Sequence, residues 1–296
     1  MVGPTAFASI LAAEQRVSTC AWFSSSATKG SSDSADHTSG LTSTASTAPL
    51  KKKLGKKAPA ITVYQYKICP FCNRVKAYLD YLNIPYETVE VNPLSKSEIS
   101  FSKDYRKVPL VTFGDQQVND SEPIIEHITG NLVATKAAND RGFFSKDSKK
   151  WSEWSEKRLA VMLYPNITRN MSESWECFSY TQDVLEWNPL ARIGTRIAGA
   201  AAMTLANGKI KKKYNIVDER EELSVVLMEW VDAVNASKDG PFLHGSVVTL
   251  PDLMVFGVLR SIEGLSTWVE IMNENPQLRA WYDSVNKVVP SCEMVK

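Results

Sequence analysis

The residues of this 296-residue chain best suited to chemistry are Cys69 and Cys72, set two apart in "YKICPFCNR" (66–74). Such a pair can form half a metal site, close a disulfide or work as reactive thiols. Zinc takes four protein ligands, or three and a water. Cys20, Cys177 and Cys292 stand alone, and His37, His127 and His244 form no second pair, so no metal is expected. Covalent haem attachment needs a histidine directly after the second cysteine, and Asn73 stands there. A structural disulfide stays open, but a thiol pair has the stronger physical case. Cys69 precedes Pro70 at the start of a helix, where free N–H groups and the helix dipole favour an anion. Lys67, Arg74 and Lys76 add positive charge nearby. Both influences favour the thiolate, the reactive form. Cys69 is therefore expected to be the nucleophile, and the more enclosed Cys72 the resolving or supporting thiol.

Positioning that thiol requires a strand before it and a helix after it. "ITVYQY" (61–66) alternates and is β-branched, as a strand does. Phe71, Val75, Tyr78, Leu79 and Leu82 then recur at helical spacing. "YETVEV" (86–91) is a second strand, and a right-handed crossover would make it parallel to the first. "VPLVTF" (108–113) and "QQV" (116–118) flank Gly114-Asp115 as a hairpin. "SEPIIEHI" (121–128) opens a helix, with Ser121 as its cap. This order is thioredoxin-like. In such a fold a cis Val108–Pro109 bond would turn the Val108 backbone toward the thiol. Asp120 and Ser121 would meet a carboxylate at the start of the next helix. Val108, Pro109, Asp120 and Ser121 could thus cradle a tripeptide thiol, and glutathione is the candidate.

Beyond a polar stretch (131–149) the remainder, 150–290, reads as all-helical. Leu223, Val226, Leu227, Trp230, Val231 and Val234 form an amphipathic stripe. Thr249 and Asp252 make a capping-box variant before a helix apolar on nearly every side, which suits a domain centre. A thioredoxin-like domain over 61–130 followed by a helical one is the glutathione-transferase architecture, α/β plus all-α.

Residues 1–60 differ: rich in Ser, Thr and Ala, with acids only at Glu14, Asp33 and Asp36, and ending in "KKKLGKKAP". That composition does not build a core. It suits a removable targeting segment, mitochondrial first and plastid second, with a plain tail in a cytosolic protein as the alternative. The basic run offers a peripheral membrane contact. No apolar run reaches the roughly 20 residues that span a bilayer; "IAGAAAMTLAN" (197–207) reads as a packed helix. With 34 Lys and Arg against 33 Asp and Glu, charge gives no footprint for nucleic acid. Five cysteines with one close pair argue for a reducing compartment.

Several blocks carry a family resemblance over about residues 61–285. They are "YQYKICPFCNRVKAYLD", "VEVNPLSKSEISFSKDYRKVP", "VNDSEPII", "LYPNITR", "AGAAAMT", "PFLHG" and "VFGVLRSIEGL". Together they resemble the membrane-associated prostaglandin E synthases of type 2. CPFC alone is shared with glutaredoxins, whereas the helical-domain blocks are more specific. The resemblance implies a homodimeric isomerase, an intramolecular oxidoreductase that converts the lipid endoperoxide prostaglandin H2 to prostaglandin E2. It implies Cys69 as essential thiol, Tyr66 as the hydroxyl beside it and Cys72 as the second thiol. Val108, Asp120 and Ser121 would hold glutathione. It also implies haem with the glutathione sulfur on iron, a form that degrades the endoperoxide. The hydrophobic N-terminal segment of better-known members is missing from 1–60. Tyr64 and Tyr66 alternate on one strand, so position alone does not choose between them, and the proton acceptor is not identified. Two other functions stay open: a glutathione-dependent thiol–disulfide oxidoreductase and a non-enzymatic glutathione–haem carrier.

Overall fold

The strand that leads to the cysteines, β1 (Ile61–Gln65), buries Ile61, Val63 and Gln65 and leaves Thr62 and Tyr64 half-exposed. The structure is a computed structural model that describes residues 59–294 except 141, 145 and 238. The 1–58 segment, with its targeting and membrane readings, lies outside those residues. β1 pairs in parallel with β2 (Glu87–Glu90) and antiparallel with β3 (Leu110–Phe113), which pairs antiparallel with β4 (Gln116–Asn119). The sheet order is β2-β1-β3-β4. Gly114, at φ +60, supplies the left-handed turn between β3 and β4. The first three strands are one or two residues shorter at their ends than the alternation suggests, and β4 runs one residue further, to Asn119.

The crossover helix α1 (Pro70–Tyr81) is buried almost all round. One flank packs on α2 (Ser121–Leu132) and another on α9 (Leu250–Arg260) of the helical part. Gly257 of α9 makes this closeness possible: a Cβ there would stand 2.6 Å from the Arg74 Cα and the Asn73 carbonyl oxygen. α9 is apolar nearly all round because it sits against α1 and against α4 (Lys146–Trp154). Its start is tied as the capping-box pattern suggests. The Thr249 N–H donates to Asp252 Oδ2 at 3.0 Å, and the Leu243 N–H and Trp281 Nε1 donate to Oδ1.

Arg74 joins the two parts. Fully buried on α1, it donates to Ser121 Oγ (3.3 Å), Glu122 (3.2 Å), Glu156 (3.1 Å) and the Ser152 carbonyl (3.3 Å). A buried guanidinium is tolerated only with such partners. The stretch expected as linker holds α3 (Thr135–Asp140) and the start of α4.

After a π-helical turn (Ser155–Leu159) come α5 (Ala160–Asn166), α6 (Met171–Cys177) and α7 (Pro189–Tyr214). α8 (Glu219–Asn235) buries the stripe from Leu223 to Val234. α10 (Ser266–Glu274) and α11 (Pro276–Asn286) close the bundle. Residues 197–207 lie within α7, where Ala200 and Met203 are buried but Ile197 and Leu205 are exposed. No helix among the described residues is long and apolar enough to cross a membrane.

Candidate functional site: a thiol pair at the start of the crossover helix

Cys69 is the N-cap of α1, with φ −79° and ψ 119°, and Pro70 occupies the first turn. The loop is held from below. The Cys69 N–H donates to the Tyr66 carbonyl at 2.9 Å, and the Asn73 amide donates to the carbonyls of Lys67 (2.8 Å) and Cys69 (3.0 Å). Asn73 thus fixes the approach to the thiol, a task its place in the sequence did not advertise.

Cys69 and Cys72 are free thiols, Cys72 fully buried and Cys69 nearly so. Burial pushes the Cys69 thiol up. A hydrogen bond from the Cys72 thiol and the N–H groups of Cys72 and Phe71 outweigh it, leaving Cys69 below the ordinary thiol value. Cys72 moves the other way, pushed well up by burial and by the hydrogen bond and charge of Cys69. One thiol is therefore poised to be the anion and the other to stay protonated as its donor. The expected help from the basic residues takes another form. Arg74 turns to α2 and the helical part, Lys76 stands 3.8 Å from Glu293, and Lys67 reaches Asp183 at 3.9 Å. Hydrogen bonds at the helix start, not cations, set the thiolate.

Tyrosines surround the pair. Burial and the charges of Cys69 and Cys72 hold the Tyr66 phenol above its ordinary value. Tyr164 of α5 is shifted likewise by burial, Cys69 and Cys72. Tyr180, just after α6, is raised by burial and by the charges of Glu90, Cys177, Tyr66 and Cys69. Glu90, at the end of β2, accepts the Lys67 N–H at 2.8 Å. Burial pushes its carboxyl up to about 8, against the pull of that N–H, Lys76, Gln65 and the Lys67 charge. Sequence reading missed Tyr164, Tyr180 and Glu90. Only "LYPNITR" carried a signal, and it marked a family, not a place.

The expected cradle lies where β3 begins and α2 starts. The Val108–Pro109 bond is cis. The Asp120 N–H donates to the Pro109 carbonyl at 3.1 Å, which ties these two positions together. Asp120, not Ser121, caps α2, and its carboxylate accepts the Ser121 N–H at 2.8 Å. Ser121 has no exposed surface, and its hydroxyl accepts from Arg74. Asp120 itself is exposed and adopts φ +72°, ψ 149°, a conformation nearly reserved to glycine. Such strain at an exposed carboxylate is a pointer to binding. Tyr105 bridges the groups: burial, then the charges of Asp120, Cys72 and Cys69, raise its phenol. The structure thus gathers Tyr66, Cys69 and Cys72 at one helix start and Val108, Pro109, Asp120 and Ser121 at the next.

Comparison with known proteins agrees with this architecture. Residues 63–132 match the family model "Glutathione S-transferase, N-terminal domain". Glutathione transferase F7 from Populus trichocarpa superposes with a TM-score of 0.50 over 79% of this chain and 100% of its own, at 14% identity. That likeness shows the fold alone. Prostaglandin E synthase 2 of Mus musculus is 33% identical over 79% of this chain and 74% of its own length. Prostaglandin E synthase 2 of Danio rerio is 34% identical over 77% of this chain and 70% of its own. Matches of that identity and extent, on a glutathione-transferase-like fold with a free CPFC thiol pair, show that the chain belongs to the prostaglandin E synthase 2 family.

Proposed function

We propose that the protein isomerises prostaglandin H2 to prostaglandin E2, with Cys69 as the working thiol and Tyr66 as the hydroxyl beside it. The observation that carries this is the helix start itself: a thiol held toward its anion, next to a phenol held in its protonated form. In the first step the Cys69 thiolate attacks one endoperoxide oxygen. The O–O bond breaks, an S–O bond forms, and the other oxygen leaves as an alkoxide. A raised phenol keeps its proton at neutral pH, so Tyr66 can donate a hydrogen bond to that alkoxide as it takes up a proton. Loss of the proton on the carbon bearing the sulfur-bound oxygen then forms the carbonyl. The S–O bond breaks and the Cys69 thiolate returns. Oxidation at one carbon is balanced by reduction at the other oxygen, so no external reductant is consumed.

Glutathione fits the second helix start. The Val108 backbone beside Pro109 would hold its cysteine part, and the exposed Asp120 carboxylate its ammonium. When bound, glutathione supplies a second thiol that can keep Cys69 reduced. Ser121 would support the cradle through Arg74. Of the described histidines, His127 makes a tilted ring contact with Phe113 at 4.3 Å, and His244 Nδ1 shares a hydrogen bond with Thr249 at 3.0 Å. Haem enters no step. Dimer formation, as the family resemblance implies, and a mitochondrial address, from the composition of residues 1–60, stay within the proposal.

The test is prostaglandin E2 formation from prostaglandin H2 by the purified protein, read by mass spectrometry. Formation no faster than in buffer overturns the proposal. A second reading, thiol–disulfide exchange, is favoured by the protonated Cys72 next to the anionic Cys69. Cys72→Ser separates the two. An isomerase using one thiol keeps a substantial part of its rate, whereas disulfide exchange collapses because no thiol resolves the mixed disulfide.

A further inference from the structure

A helix on the surface of a globular fold normally turns its large apolar side chains inward. The long helix α7 does the reverse. Of its buried residues Thr195, Gly199, Ala200, Met203, Asn207 and Ile210, only Met203 and Ile210 are large and apolar. Polar contacts dock that inner face. The Asn92 amide donates to Thr195 Oγ1 at 3.0 Å, and the Asn207 amide donates to the Pro165 carbonyl at 2.9 Å and to Thr168 Oγ1 at 3.0 Å. Gly199 presses on Phe178, whose ring a Cβ would meet at 2.4 Å. The outer face carries Leu190, Ile193, Ile197 and Leu205, all exposed, Leu190 and Leu205 at 83% and 78%. With Ala201, Gly208 and Lys212 they recur in steps of three or four, so they share one stripe. Its apolar part is about 22 Å long, at a rise of about 1.5 Å per residue. An exposed apolar stripe of that extent marks a surface that something covers.

Charge says what covers it. α7 holds Arg192, Arg196, Lys209, Lys211, Lys212 and Lys213 and no acid. Lys209 and Lys212 are exposed where the stripe ends. Along one flank the Arg196 guanidinium lies 4.3 Å from the ring centre of the exposed Trp175. Tryptophan and basic side chains are the groups that anchor a protein at headgroup depth. We infer that the outer face of α7 docks on an anionic lipid surface. The helix lies in the plane of the membrane, with Leu190, Ile193, Ile197 and Leu205 among the acyl chains and Lys209 and Lys212 among acidic headgroups. Such a surface offers both an apolar layer and a negative rim. A second copy of the chain offers only the first. A two-fold contact sets the helix against itself, six positive charges facing six with no acid on either helix to pair them. α8 is the internal contrast. It too exposes apolar side chains, Val225 and Met228, but it bears Glu219, Glu221, Glu222, Glu229 and Asp232. The inference stands apart from the isomerase reading and from the basic run that precedes the described residues.

The test is co-sedimentation of the full chain with vesicles of phosphatidylcholine, alone or mixed with phosphatidylserine. The protein should bind the mixed vesicles, and more weakly as salt rises. Lys209→Gln with Lys212→Gln should weaken that binding about thirtyfold, since each basic residue near such a surface contributes about fivefold. Leu190→Ser, Ile197→Ser and Leu205→Ser together should weaken it at least about tenfold, through lost apolar area. All five side chains are exposed, so both sets should keep the parent's thermal unfolding. Val225→Ser with Met228→Ser, on α8, should bind as the parent does. No binding to the mixed vesicles overturns the inference. So does binding that either α7 set leaves unchanged, because the contact then lies outside this face. An equal loss in the α8 variant overturns it as well, since any exposed apolar residue would then serve. Sedimentation velocity reads the other occupant. If the apolar α7 set splits a dimer and leaves vesicle binding intact, the face belongs to a second copy and the inference falls.

Discussion

Cys69 and Cys177 are both free and both buried, at 6% and 2% exposure, yet they are opposite thiols. Cys69 opens α1 and Cys177 is the last residue of α6. Burial acts on both in the same direction. At Cys177 nothing opposes it, the neighbouring Glu176 charge adds to it, and the thiol is pushed up to about 12. At Cys69 the Cys72 thiol and two backbone N–H groups reverse it. A helix presents donors at its first turn and carbonyls at its last, so the same side chain is activated at one end and silenced at the other. Burial alone does not predict reactivity; the end of the helix does.

The widest separation is in activity. Cys69→Ser should lower prostaglandin E2 formation by about a hundredfold or more, the scale of losing a nucleophile. Cys177→Ala should stay within about twofold. Equal losses in both variants would break the comparison and point to a packing effect shared by the two thiols. Alkylation sharpens it without substrate. A thiol near 12 is thiolate in about one molecule in 100,000 at pH 7, against about one in 100 at the ordinary value of 9. Cys69 lies below that ordinary value. Allowing for the weaker nucleophilicity of a less basic thiolate, brief iodoacetamide treatment should label Cys69 about a hundredfold ahead of Cys177.

The start of α2 extends the contrast to a third helix end, where the donor is strained. Asp120→Gly relieves a backbone conformation that costs about 1–3 kcal/mol in a non-glycine residue, and glycine as a cap loses only a few tenths. The variant should therefore be more stable, by about 1 kcal/mol in urea unfolding. It should also bind glutathione about ten- to a hundredfold more weakly, since a hydrogen bond to a charged group contributes about 1.5–3 kcal/mol. Lower stability together with unchanged affinity would make Asp120 a plain cap.

What could be read in advance follows distance along the chain. The order strand, helix, strand, hairpin, helix rests on local pattern: alternation in "ITVYQY", Pro70, and Gly114-Asp115. The α8 stripe and the Thr249–Asp252 start are likewise local. Cys69 was legible because helix position and residue type lie within one turn. Glu90 was not: a glutamate ending an alternating strand reads as solvent-facing, and Lys67, Lys76 and Tyr180 become its neighbours only in the fold. Arg74 misled for the same reason. Two residues from Cys72 it looks like a cation for the thiol, but Glu122 and Glu156 claim it from elsewhere in the chain. Polarity hid the helices of 131–149, because short helices there need little apolar surface of their own.

The smallest expected effect tests the same contrast through stability. Cys177 titrates near 12 in the folded protein and near 9 in an open chain. The folded state thus favours its neutral form, and the stability this contributes is complete below pH 9 and lost as pH rises from there toward 12. By pH 10 the loss approaches about 1.4 kcal/mol per pH unit. Cys69, lowered in the fold, has the opposite sign: its contribution is present above the open-chain value and is lost as pH falls through the folded one. Buried tyrosines such as Tyr66 add their own alkaline loss, but they are common to parent and variant and cancel in the difference. Urea unfolding followed by tryptophan fluorescence at pH 7, 8, 9 and 10 reads both. Cys177→Ala should flatten the alkaline decline, and Cys69→Ser should lose stability relative to the parent as pH rises toward 9. If Cys177→Ala follows the parent at every pH, that thiol ionises as freely in the fold as in the open chain. The helix end would then not be what divides it from Cys69.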